Sequence, residues 1–148
     1  MRNQTTYLLL VGSGATPFAA CAALLVLGVD SLPFLGPTDR LAALYGLAIV
    51  CFLTGVHWAT RLYQRSSGLP NLFVLSNAVF LGVLLSYALG DVATGLMGQL
   101  IAFPLLLAVD ARLRRAGAIS THYFRVRAAA TGVAWLSLAV IWSLTAAG

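Results

Sequence analysis

The run Leu41–Tyr63, LAALYGLAIVCFLTGVHWATRLY, decides the fold. Wound as a helix at about 1.5 Å per residue, its 23 residues reach roughly 34 Å, enough to cross the hydrocarbon core of a bilayer. It reads as a transmembrane helix. Near one end it carries Gly55-Val56-His57-Trp58 and, four residues after the histidine, Arg61. That spacing puts His57 and Arg61 on one face. An ionisable side chain at membrane depth needs a partner or a route to water, because leaving it in lipid costs about 2.5 to 3.5 kcal/mol. The other helices are expected to supply that partner.

The composition agrees. Of 148 residues, 9% are charged and 60% hydrophobic, against about 25% and 45 to 50% in soluble domains, which leaves too little polar surface to coat a water-soluble globule. All nine basic residues are arginine and all four acidic ones aspartate. The net charge of +5 does not point to nucleic acid, because the arginines lie in short connections between apolar runs and form no soluble basic face. Cys21 and Cys51 fall inside apolar runs without metal-ligand spacing and read as buried thiols.

Outward from the central run, four more apolar stretches follow the same rule, at 7–29, 71–89, 92–109 and 121–145, giving an all-α bundle of five spans in a single integral-membrane domain. In the first, Gly14-Ala15-Thr16-Pro17 should bend the helix, and Ala15, Ala19 and Ala22 offer a small-residue packing face. Phe18-Ala19-Ala20-Cys21 resembles a lipoprotein cleavage box, but the apolar run continues to Val29, longer than a cleavable segment needs. Residues 30–40, with Pro33, Gly36 and Pro37, read as a loop, with Thr38 or Asp39 capping the helix after it. Only Gly90-Asp91 separates the third and fourth spans, which forces an antiparallel hairpin, and Gly98 with Ala102 forms a small-x-x-x-small pair. Asp110 ends the fourth span, and 111–120 reads as a basic connection.

Arginine placement sets the orientation. With the amino terminus inside, eight arginines lie on the cytoplasmic side and only Arg40 lies outside, which puts the carboxyl terminus outside. Most side chains capable of chemistry then gather in the cytoplasmic half. His57, Trp58 and Arg61 stand on the second span, Asn77 on the third, Asp110 at the end of the fourth, and His122, Tyr123 and Arg127 at the start of the fifth. Tyr123, Arg127, Thr131 and Trp135 recur at i+4 and share a stripe.

Two readings of this cluster stand side by side. In the structural one, the arginines reach phosphates, the aromatics sit in the interfacial belt, Asp110 pairs with Arg114 one turn on, and His57 bonds to Asn77, Asp110 or a backbone carbonyl. In the functional one, a cytoplasm-facing pocket uses Arg61 and Arg127 to attract an anionic head group while His57 titrates. Metal hydrolysis is disfavoured by two histidines and one distant aspartate, and a haem held by His57 and His122 by depths that differ by about 9 Å or more at 1.5 Å per residue. No phosphate loop, nucleophile elbow or carboxylate pair occurs, so no cofactor and no metal are expected.

Gly14-Ala15-Thr16-Pro17-Phe18, Tyr45-Gly46, Phe52-Leu53-Thr54-Gly55-Val56-His57-Trp58, Asp110, and Tyr123 with Arg127 resemble the membrane family called domain of unknown function 3429, whose eukaryotic relative is transmembrane protein 69. The resemblance runs from about Tyr7 to Leu144. It implies a multi-pass protein of the bacterial inner membrane, or of the mitochondrial inner membrane in a eukaryote. It carries no activity, substrate or catalytic residue with it. The leading expectation is a non-catalytic accessory, assembly or lipid-interacting component. Its partners are the lipid bilayer and other membrane proteins or further copies of itself, with no nucleic acid. The alternatives are a small oligomeric transporter or channel, and an inner-leaflet enzyme acting on lipid or quinone.

Overall fold

The computed structural model describes residues 11–63 and 71–147. Five helices stand among them: α1 (Thr16–Val26), α2 (Thr38–Tyr63), α3 (Leu72–Leu89), α4 (Val92–Arg115) and α5 (Thr121–Ala147). The last four are long and apolar enough to cross a membrane, and α1 extends a shorter apolar segment that starts at Val11. The chain is an all-α polytopic membrane bundle. The start of the first expected span, residues 7–10, lies outside the described residues. α2 is the hub, packing on all four other helices, while α1 leans on α5 and α3 on α4. Lipid tails are as apolar as leucine, so helix association here rests on close packing and on polar clasps between helices.

The bend expected at Gly14-Ala15-Thr16-Pro17 is an interruption. A turn at Gly14 and Ala15 separates a helical start from α1, and Pro17 sits in its first turn. Pro17 has no N–H to give Ser13, and the Thr16 hydroxyl donates to the Ser13 carbonyl at 2.7 Å instead. The Tyr45 hydroxyl of α2 donates to the Gly14 carbonyl at 2.9 Å. Pro104 inside α4 raises the same problem, since it cannot donate to Leu100, and Trp135 of α5 supplies its indole N–H to the Leu100 carbonyl at 2.9 Å. Freed backbone groups are thus satisfied by neighbouring side chains, as a lipid environment demands.

α1 closes at Val26, short of the expected Val29, α5 runs on to Ala147, and three further boundaries differ from the sequence reading. The loop at 30–40 contains a small antiparallel ladder, β1 (Ser31–Leu32) on β2 (Gly36–Pro37), turned through Phe34 at φ 66 and Gly36 at φ 82. Second, α2 begins at Thr38, three residues before Leu41. Thr38 turns its hydroxyl back to the Val29 carbonyl at 2.9 Å and caps nothing in its own helix, while Asp39 Oδ1 accepts the Arg40 N–H. The third concerns α4, which runs on to Arg115, so residues 111–115 are helix and Asp110 lies inside it. Leu113 drives the extension by burying itself with Val109 and Leu72, and three arginines in the last turn complement the helix dipole. Gly117, at φ 74, then ends the run. Asn71 and Asp91 cap α3 and α4, accepting the backbone N–H of Val74 and Thr94. Cys21 is buried, but Cys51 faces outward, which corrects the reading of both as buried thiols.

Candidate functional site

Each long helix facing the centre carries buried residues at alternating spacings of three and four. In α2 they are Ala43, Gly46, Val50, Leu53 and His57; in α4, Leu96, Gln99, Phe103, Leu106, Asp110 and Leu113; in α5, Arg127, Thr131, Ala134, Leu138 and Ile141. This is the seam of packed helices, and every polar residue on it is carried into the interior. His57, Asp110 and Arg127 sit on three seams at the same end of the bundle and converge.

His57 Nε2 stands 2.8 Å from Asp110 Oδ1, and Arg127 Nε stands 3.1 Å from Asp110 Oδ2. All three are buried, at 3%, 3% and 8% exposure. Asp110 therefore joins α2 to α5. Its contact with Arg127 is an ion pair by distance without hydrogen-bond alignment, because neither Asp110 Oδ2 nor Arg127 Nε has an aligned partner. A guanidinium has five N–H donors, so burying it against one carboxylate oxygen leaves donor capacity over.

Arg127 also lines a cleft. Between α1, α2 and α5 lies a cavity of about 410 Å³, walled by Phe18, Ile49, Leu53, Val56, Phe103 and Ala134, with Tyr123, Arg127 and Thr131 as its polar lining. Phe18 fixes the back wall, meeting Tyr45 and Phe103 edge to face at ring distances of 5.0 and 5.8 Å. Tyr123 lies close enough to feel the charges of both Asp110 and Arg127. The arrangement is an apolar space with a buried arginine among its lining residues and, paired to that arginine, a carboxylate that also meets an imidazole.

The other singled-out residues stand apart. Asn77 is exposed and donates to Phe73 within its own helix at 2.9 Å. Trp58 is partly exposed and packs edge to face on Phe73 at 4.7 Å. Arg61 is half-buried outside the cleft lining, and His122 is exposed in the first turn of α5. Arg114 does not pair with Asp110. It lies over the Phe124 ring, 4.5 Å from its centre, tying the end of α4 to the start of α5. Trp135 leaves the stripe it shares with Tyr123, Arg127 and Thr131 to serve Leu100.

Sequence reasoning missed Gln99 as a clasp. Fully buried in the first third of α4, it donates from Nε2 to the Ala43 carbonyl of α2 at 2.6 Å, and Gly46 leaves the space that its amide occupies. The signal was its place on the apolar repeat between Leu96 and Phe103.

A family model described as "Protein of unknown function (DUF3429)" matches residues 3–143, nearly the whole chain. The chain belongs to that family. Neither curated proteins nor solved structures give a match.

Proposed function

We propose that this member of the DUF3429 family is a non-catalytic, lipid-interacting membrane component that holds a chain-bearing amphiphile in the cleft between α1, α2 and α5, with the ligand's polar end on Arg127. The observation that carries this reading is the pairing of an almost wholly apolar space of about 410 Å³ with one buried arginine, Arg127, among its lining residues. Small-ligand sites have this make-up, roughly 300 to 1,000 Å³ of mainly apolar wall with a few polar groups that fix orientation. We place the cleft in the cytoplasmic half of a bacterial inner or mitochondrial inner membrane, following the arginine bias of the connections and the family resemblance. Transport is supported less, because, of Gln99 and Tyr87, the two polar residues a path to the far side could use, Gln99 gives its Nε2 to the Ala43 carbonyl and Tyr87 packs on Gly95.

Native mass spectrometry of the protein released from mild detergent tests this. The wild type should carry a co-purified amphiphile of defined mass, and Leu53→Trp, which fills the cleft, should carry little. Equal occupancy in both would place the bound lipid elsewhere and end the proposal.

A further inference from the structure

The charges around the cleft constrain what can enter it. With a neutral imidazole, Asp110 and Arg127 cancel, and the centre carries no net charge. An anion placed on Arg127 would then leave one uncompensated negative charge among apolar walls, which low-dielectric surroundings oppose strongly. With a protonated imidazole, the centre carries one positive charge and the same anion brings it to zero. We propose that the cleft takes its ligand as an anion together with one proton, the anion docking on Arg127 and the proton going to His57. This rests on the reading of the cleft as an amphiphile site.

The hydrogen-bond geometry says where the proton goes. His57 Nε2 faces Asp110 Oδ1 at 2.8 Å, so in either charge state Nε2–H donates to the carboxylate. The added proton forms an N–H bond at Nδ1, and its source is the aqueous buffer. Asp110 holds the two partners together, because one oxygen faces the imidazole and the other faces Arg127. Around His57, α4 presents Asp110, and α5 presents Arg127 and Tyr123, with His122 exposed at its start. Arg61 follows on the same helix, the one ionisable group of α1 is Cys21, and that of α3 is Tyr87, at the far end against Gly95. The chemical class of the ligand is an apolar chain ending in a singly charged anion, whether a free single-chain amphiphile or an anionic membrane lipid.

The test uses the full-length protein in nanodiscs of phosphatidylcholine, titrated with decanesulfonate, whose own charge stays fixed from about pH 5 to about pH 9. Decanol serves as the uncharged control. Calorimetry in two buffers of different ionisation enthalpy should report close to one proton taken up per sulfonate bound. Affinity should fall about tenfold per pH unit on the alkaline side of the transition, as single-proton linkage requires, while decanol affinity stays level. His57→Gln should bind sulfonate weakly and without pH dependence. Asp110→Asn, whose centre is positive even with a neutral imidazole, should bind it more tightly than wild type at high pH. Repeating the titration with phosphatidylglycerol in the disc separates the two ligand sources, since an anionic lipid in the cleft would compete with sulfonate. Sulfonate binding that is level with pH and takes up no proton would overturn the coupling and leave the cleft's occupancy standing. Absence of binding by both sulfonate and decanol at every pH would overturn the cleft reading itself. The wild-type proton count decides the matter even if a variant fails to fold.

Discussion

At the scale of single residues, Asp110 holds the centre together, because it is the shared partner of His57 and Arg127. Removing it leaves a guanidinium buried without a counter-charge, and breaking a buried pair from one side costs about 3 to 5 kcal/mol. Asp110→Ala should therefore lower stability by about that much in thermal unfolding in detergent, whereas Asp110→Asn with Arg127→Gln, which removes both charges, should recover more than half of the loss. A double variant no more stable than Asp110→Ala would mean that the pair is not the source of the stability. The sequence already placed His57, Asp110 and Arg127 in one half of the membrane, but it could not choose partners. Local spacing favoured Arg114 for Asp110, one turn away on the same helix. Helix rotation decided otherwise: burial of Phe103, Leu106 and Leu113 turns Asp110 inward, and Arg114 points instead at Phe124. Asn77 escaped correct placement for the same reason, since depth along a helix is legible in a sequence and its facing direction is legible only through the seam residues around it.

At the scale of elements, α2 and α4 are joined by Gln99 reaching the Ala43 carbonyl across Gly46. A Cβ added at Gly46 would collide with the Gln99 amide, and such overpacking costs typically about 1 to 3 kcal/mol. Gly46→Val should destabilise the bundle by that order in detergent unfolding, and adding Gln99→Ala should return part of it. Strictly additive effects would separate the two residues. The hairpin of α3 and α4 carries a pH signature. The Thr94 hydroxyl and N–H both bond Asp91, at 2.6 and 2.7 Å, and hold its carboxyl below the ordinary carboxylate range. A carboxyl lowered in the folded state adds stability that is complete above its unfolded value, near pH 4, and is lost as pH falls through the folded value. Melting temperature measured from about pH 6 down to about pH 2 should fall less in Asp91→Asn than in wild type. Parallel curves would remove the cap from the account. Element existence was readable because apolar runs of membrane length have few alternatives. Element ends were not, as α4 shows: three arginines after Asp110 suggest a connection, while Leu113 packing on Leu72 keeps the helix going.

At the scale of the whole molecule, the physical frame is a hub helix, α2, with its polar end closed by α4 and α5 and its flank opened into a cleft by the interrupted helix at Gly14 and Ala15. The proline that breaks the first span was legible, but that the break would border a cavity depends on how α1 leans against α5. The arginine bias predicts that the arginine-rich ends of α4 and α5 face the cytoplasm. A cysteine introduced at Arg115 in a background without Cys21 and Cys51 should be shielded from an impermeant thiol reagent in intact cells and react after lysis. Labelling in intact cells would reverse the orientation. The most direct test of the account as a whole is an experimental structure of the wild type grown from a lipidic mesophase. Elongated density along Phe18, Leu53 and Phe103, ending within hydrogen-bond distance of the Arg127 guanidinium, is the predicted result. A cleft closed by its own side chains, or Arg127 turned out of it, would contradict the account.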